Sequence, residues 1–323
     1  MTGPSDRAGS TGPRTAGPLD QGKGDDPLGP STTDEGPLGP PTTGAGSLGR
    51  LSLNQRTTAS WSLPEAVDGS VAAGLGAIGV WREQLAEVGL DEGCRLVRKS
   101  GLRVSSLCRG GFFTTADPAE AREAEARNRQ ALEEAAALGA ATLVLVPGGL
   151  PPGDRDLGAA RVRAASAIER LVPYARELGV TLGIEPMNPI YAADRGVIST
   201  LAQALDIAER FDAQDVGVVV DTFHVWWEPG LSETLQRAGE RIVSYQVCDW
   251  ITPIPADTLL ARGMMGDGHI DFPAITRWVA RAGYRGDVEV EIFNADLWSR
   301  PPADVVRTMA ERYLELVEPY LAA

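Results

Sequence analysis

From about residue 51 the chain alternates between two hydrophobic patterns. Short β-rich runs are each followed by a longer Ala-, Leu-, Glu- and Arg-rich stretch with helical spacing. The pattern predicts strands near 53–59, 76–80, 102–108, 142–147, 180–185, 216–221, 242–248 and 287–293, helices between them, and a last helix near 302–321. Two runs, "TLVLV" and "VGVVV", are apolar on both faces, as strands of a parallel sheet covered on both sides must be. Eight strand–helix repeats of this kind predict an α/β fold, a closed (β/α)8 TIM barrel, in preference to an open doubly wound sheet.

Residues 1–50 lack any such period. They are crowded with Gly, Pro, Ser and Thr, including "DPLGPSTTDEGPLGPPTTGAGSLG", and so are expected to form a disordered tail ahead of a barrel spanning 51–323. They show neither the apolar core of a secretory signal nor the Arg-rich, acid-poor character of a transit peptide.

Charge and rare residues remove several classes of function. The formal charge of −14 and the absence of an 18-residue apolar run argue against nucleic-acid and membrane partners. Three dispersed cysteines, Cys94, Cys108 and Cys248, have no CxxC spacing, which fits a reducing cytoplasm and excludes a zinc ribbon. The only lysines are Lys23 and Lys99. Lys99 precedes a strand and therefore lies at the end of the barrel opposite the active mouth, so Schiff-base chemistry is disfavoured.

The strand ends carry the candidate chemistry. Strand five closes "TLGIEP" at Glu185, strand six "VVVD" at Asp221, strand seven "SYQVCDW" carries Gln246 and Asp249, and strand eight "VEVEIF" carries Glu291. Side chains at the C-terminal ends of barrel strands share one mouth. By the two-residue alternation, Gly183 and Gly217 share faces with Glu185 and Asp221, which predicts room for a ligand. Glu289 shares the face of Glu291. Three converging carboxylates repel one another, so a divalent cation is expected among Glu185, Asp221, Gln246 and Glu291. All-oxygen ligands favour Mn²⁺, with Mg²⁺ or Co²⁺ as alternatives.

The strings "GIEPMNP", "DTFHVWWEP", "QVCDW", "RGMMGDGHIDF" and "VEVEIF" follow one another in a way that resembles the sugar phosphate isomerase/epimerase family, the xylose-isomerase-like barrels, over roughly residues 52–320. The resemblance implies the same four metal ligands, a pocket histidine at His224, and Glu185 and Glu291 as the groups that remove and return a proton. Many relatives have His where this chain has Gln246, and others have His where it has Asn188; the latter departure disfavours C-glycoside cleavage.

The implied activity is isomerisation or epimerisation of a sugar or cyclitol through an enediolate, carried out by a cytoplasmic enzyme that could be a homo-oligomer. A dehydratase of a keto-polyol or dehydroshikimate-like acid is the closest alternative. A C-glycoside-cleaving subunit and a non-enzymatic metal- or sugar-binding barrel stand further off. Substrate contacts are expected from Asn188, Arg109, Trp226, Trp227, Asp249 and Arg262, with Arg195 a further candidate. His269 is read as incidental. No glycine-rich phosphate loop follows any strand.

Overall fold

The computed structural model describes residues 47–322; the expected tail lies outside the described residues except for its last four positions. Those four pack on the barrel. Arg50 donates to the Gly286 carbonyl at 2.7 and 2.9 Å, and Leu48 lies against the apolar core.

Eight parallel strands close the barrel: β1 (Leu51–Asn54), β2 (Ala77–Trp81), β3 (Arg103–Gly111), β4 (Thr142–Val146), β5 (Thr181–Ile184), β6 (Val216–Asp221), β7 (Ile242–Val247) and β10 (Val288–Val290). A short antiparallel ribbon, β8 (Asp249–Trp250) with β9 (Arg262–Gly263), stands above β7. The order around the barrel is β1-β10-β7-β6-β5-β4-β3-β2. Among the described residues, no helix is long and apolar enough to cross a membrane.

Helix boundaries follow local chemistry. Asp117 accepts from the Ala119 and Glu120 amides ahead of Pro118–Leu138, and Asp156 accepts from Ala159 ahead of Leu157–Leu178. Both helices stop at a left-handed glycine, Gly139 and Gly179, a backbone conformation that other residues adopt only with strain.

The first strand differs from its expected range of 53–59. It ends at Asn54, whose side chain accepts from the Arg56 amide and turns the chain into a short 3-10 helix, Gln55–Thr58. A side-chain cap thus overrides the β-propensity of the Thr pair that follows. The last helix also stops early, at Leu316, and a separate 3-10 turn covers Glu318–Tyr320.

The apolar core divides in two. The larger part lies between sheet and helices, and a small cluster of Trp81, Cys108, Val144, Val219 and Phe293 fills the barrel beneath its mouth. Gly183 and Gly217 do not open space for a ligand. A Cβ on Gly183 would meet Thr142 at 2.7 Å and Val219 at 3.0 Å, and one on Gly217 would meet Val243 at 2.3 Å, so both glycines admit neighbouring side chains of the packed layers.

Glu289 is a plug in this interior. Asn54 and Ser105 each donate to it at 2.6 Å, and Ser106 at 2.8 Å. Gly79 on β2 is its other boundary, because a Cβ there would lie 2.4 Å from the Glu289 Oε1. Outside the barrel wall, buried Glu228 accepts from the Leu201 amide at 2.7 Å and thereby caps the helix Leu201–Ala208.

Two stability outcomes follow. Gly79→Ala forces its methyl against Glu289 and should cost about 1–3 kcal/mol in chemical denaturation; an unchanged midpoint would show that the plug can move aside. Burial pushes the Glu228 carboxyl up to about 7, against a smaller lowering by the Leu201 amide. Its folded value therefore exceeds its ordinary 4.5, so the folded state holds the proton more tightly and stability is lost as pH rises from 4.5 through 7. Glu228→Gln keeps the acceptor and removes the charge. Its melting temperature should match the parent at pH 5 and exceed it at pH 8, and a loss at both would refute the assignment.

Candidate active site

Asp221 ends β6 with a division of labour between its two oxygens. Oδ1 accepts from the Phe223 amide at 2.9 Å and starts the one-turn helix Thr222–Val225. That turn carries His224 over the barrel mouth. Oδ2 accepts from Arg262 Nη1 at 2.7 Å. The same guanidinium nitrogen lies 3.2 Å from Glu291 Oε2, and all three side chains are buried.

His224 is held by the backbone of the neighbouring strand loop. Its Nδ1 accepts from the Asn188 amide at 3.1 Å, which leaves the ring proton of a neutral imidazole on Nε2. Burial pulls the ring down to about 3, outweighing the nearby Asp221, so His224 is neutral at physiological pH. Nε2 sits 3.7 Å from Asp221 Oδ2, 3.9 Å from Glu185 Oε1 and 3.1 Å from Arg262 Nη2. In this tautomer two N–H donors, from His224 and Arg262, face each other. An oxygen lone pair placed between them would relieve the conflict.

Glu185 and Glu291 flank this pair from the ends of β5 and β10. Burial raises both carboxyls above their ordinary range; for Glu185, Glu291 and Asp221 add to the rise, while Arg262 opposes it in both. Burial alone would lower the Arg262 guanidinium, but Asp221, Cys248 and Glu291 outweigh it and hold the group firmly protonated.

The cavity over these groups measures about 260 Å³ and is lined by Glu185, His224, Arg262 and Glu291 at its floor. Trp81, Phe293 and Trp298 form an aromatic side, with Trp81 and Phe293 in edge contact at 5.6 Å. Arg56, Arg109 and Arg195 also line it, with Cys108, Val144, Val146, Met187 and Leu259.

Several expected contacts sit elsewhere. Trp226 packs on Trp250 at 5.7 Å, and Trp227 donates to the His224 carbonyl at 2.7 Å, so neither lines the cavity. Asn188 also lies outside the lining: its side chain accepts from Ile190 and caps a 3-10 turn, while its amide orients His224. Asp249 accepts from Trp250, Gly266, Gly268 and Ile270 at 2.8–3.0 Å and organises the loop that delivers Arg262. His269 contacts Thr252 at 2.9 Å. Arg56, Trp81, Phe293 and Trp298 were not among the expected contacts, although Trp81 and Arg56 stand at or just past strand ends.

Among the described residues, two groups of side chains bring possible metal-ligating atoms together: Glu185, Asp221 and His224, and Cys108, Glu289 and Glu291. In the second, Glu289 already accepts from Asn54, Ser105 and Ser106, and burial pushes the Cys108 thiol well up, keeping it protonated. In the first, the tautomer set by Asn188 removes His224 Nε2 as a ligand. Gln246 supplies what is missing: it is fully buried next to Asp221 in the β6–β7 register, and neither its Oε1 nor its Nε2 has a partner. An orphaned buried amide costs about 1–3 kcal/mol per unmet group. Its oxygen, with the carboxylates of Glu185 and Asp221, gives the all-oxygen donor type that a hard divalent cation takes, while Glu291 groups with Cys108 and Glu289.

A family model for xylose isomerase-like TIM barrels matches residues 68–316. The chain belongs to this family. Protein SMc04130 of Sinorhizobium meliloti 1021 is 46% identical, with a TM-score of 0.82, and the match covers 84% of this chain and all of that one. The IOLI protein, solved with a bound zinc atom, shares the barrel at 22% identity and a TM-score of 0.74, covering 85% of this chain and all of that one. Among curated proteins, L-ribulose 3-epimerase of Methylomonas sp. (strain DH-1) is 23% identical over 57% of this chain and 61% of its own length. Inosose isomerase of Bacillus velezensis is 26% identical over 65% and 74%.

Arg262 holds the acids together electrostatically, which makes it the test of the site. Arg262→Met leaves three buried carboxylates without a counter-charge and should lower the melting temperature by on the order of ten degrees in chelator-treated protein. Millimolar Mn²⁺ should restore most of that loss. No loss, or a loss that Mn²⁺ leaves unchanged, would mean that the acids do not form a cation site.

Proposed function

We propose that the protein is a divalent-metal-dependent isomerase or epimerase of a ketose or cyclitol, working by proton abstraction next to a carbonyl. The observation that carries this reading is the pair Glu185 and Glu291, two buried carboxyl groups lining the same cavity beside His224 and Arg262. The names of the related epimerases and inosose isomerases support it.

Glu185, Asp221, Gln246 and Glu291 would hold the cation, with Mn²⁺ the expected ion. Bound there, it would polarise a carbonyl and offset the negative charge of an enediolate. The protein's own groups do the rest. One glutamate, ionised, takes the proton from the carbon beside the carbonyl; the other, protonated, returns one to the carbon that needs it. His224 Nε2–H and the Arg262 guanidinium donate to the substrate oxygen whose charge grows as the C–H bond breaks. Trp81 and Phe293 shield the reacting carbons from water.

The stereochemical result depends on where the second glutamate delivers its proton. Return to the same carbon from the opposite face gives an epimer, and return to the former carbonyl carbon, with the hydroxyl proton passing to the former carbonyl oxygen, gives the isomer. Loss of a β-hydroxyl from the same enediolate gives a dehydratase.

The test is exchange of carbon-bound hydrogen in deuterated water, followed by NMR with Mn²⁺-loaded protein across ketoses and inososes. The parent should wash label into one substrate. Glu185→Gln and Glu291→Gln should each reduce the exchange by 100-fold or more, the scale of general acid–base catalysis, with circular dichroism unchanged. Retention of near-parent exchange in either variant would remove that residue from the proton relay.

A further inference from the structure

Besides the acids, the cavity is lined by arginines whose positive charge is offset by exposed acids and, for Arg56, in part by Glu291. Arg56 stacks over the Trp81 ring at 4.2 Å, and Arg109 lies 5.7 Å from the same ring and 4.6 Å from Phe112. One indole therefore carries two guanidinium groups. Arg195 lines the same cavity from the loop after β5.

Their partners are few and wet. Among the described residues Arg56 pairs with Glu83, at 3.5 Å and half exposed, and acts more weakly on Glu291, while its buried Nε has no hydrogen-bond partner. Arg195 has Asp194 at 3.4 Å, largely exposed, and its buried Nε is likewise unpaired. Arg109 makes no ion pair or hydrogen bond among the described residues. Burial pulls its proton affinity down, and the positive charges of Arg195 and Arg56 add to that against Glu83. Ring stacking accounts for where Arg56 and Arg109 lie, but it leaves the buried Nε of Arg56 unmet and gives the Arg109 guanidinium no acidic partner.

We infer that Arg56, Arg109 and Arg195 form an anion subsite, so that the substrate is a polyol or keto-polyol bearing a carboxylate or phosphate at the end remote from the reacting carbonyl. Three like charges around one cavity are self-repelling unless an anion joins them, and guanidinium groups match both oxyanions in shape. The same cavity offers apolar lining from Val144, Val146, Met187 and Phe293 for the carbon skeleton of such a substrate, beside the acids and the arginines.

This inference rests on the isomerase reading for the reacting end only. Anion capture is measurable without turnover. Titration calorimetry of the full chain with inorganic phosphate, shikimate and myo-inositol separates a phosphate, a cyclic polyol carboxylate and a neutral polyol. Phosphate or shikimate should bind at least tenfold more tightly than myo-inositol, and whichever of the two binds more tightly identifies the anion. Arg109→Gln and Arg195→Gln should each weaken that binding about tenfold or more, Arg109→Lys less, with unchanged circular dichroism.

Equal affinity for myo-inositol, no binding of either anion, or full affinity in both Gln variants would overturn the subsite. If one Gln variant fails to fold, the other decides. The two readings fail separately. Anion binding that follows the arginines, with no hydrogen exchange in any substrate, would sink the isomerase and leave the subsite; exchange of neutral ketoses with no gain from an acidic group would do the reverse.

Discussion

Four buried charges set the terms of this structure: Glu185, Asp221 and Glu291 around the guanidinium of Arg262. One cation against three acids does not balance, and burial removes the water that would otherwise screen them. The site relieves the excess through proton uptake on the glutamates, which burial and mutual repulsion both favour. A divalent ion among the same oxygens would relieve it in another way. Arg262 and such an ion act on the same acids, and the neutral Gln246, in place of a residue that could itself become cationic, adds no further positive charge to the contest.

The acids were legible in the sequence because a barrel strand that ends on a polar residue must present it at the mouth, and alternation then fixes the face. Glu185, Asp221 and Glu291 needed only that rule. Arg262 needed more. It reaches the centre of the site from a long loop, through the ribbon of β8 and β9, and the loop is held by four amides converging on Asp249. No local pattern states where such a loop returns. Asp249 itself looks the same in sequence whether it faces a substrate or a set of backbone amides.

The aromatic side of the cavity was misplaced for a related reason. Trp226 and Trp227 follow a catalytic strand end and so invite a role against substrate, yet their indoles turn to Trp250 and to the His224 carbonyl. Trp81 closes an apolar strand and reads as core. It is core on one edge, against Phe293, and a platform for Arg56 and Arg109 on its face. Hydrophobic periodicity reports which face of a strand is inward; in a barrel, inward includes both the packed interior and the floor of the mouth. The eight strands themselves were recovered because that periodicity is all they require.

The distribution of charge also bears on how an acidic protein could take an acidic substrate. With a formal charge of −14, the molecule as a whole repels anions, so long-range steering works against capture. Screening at physiological salt confines that repulsion to about 8 Å from each charge. Inside the cavity, where protein replaces water, Arg56, Arg109 and Arg195 act over shorter distances and with less screening than the exposed acids outside. Those acids of the floor that stay ionised repel the same anionic group. Attraction at the wall and repulsion at the floor would together favour one orientation of such a substrate, with the charged end outward and the carbonyl toward Glu185 and Glu291, before any hydrogen bond to the carbonyl oxygen is made.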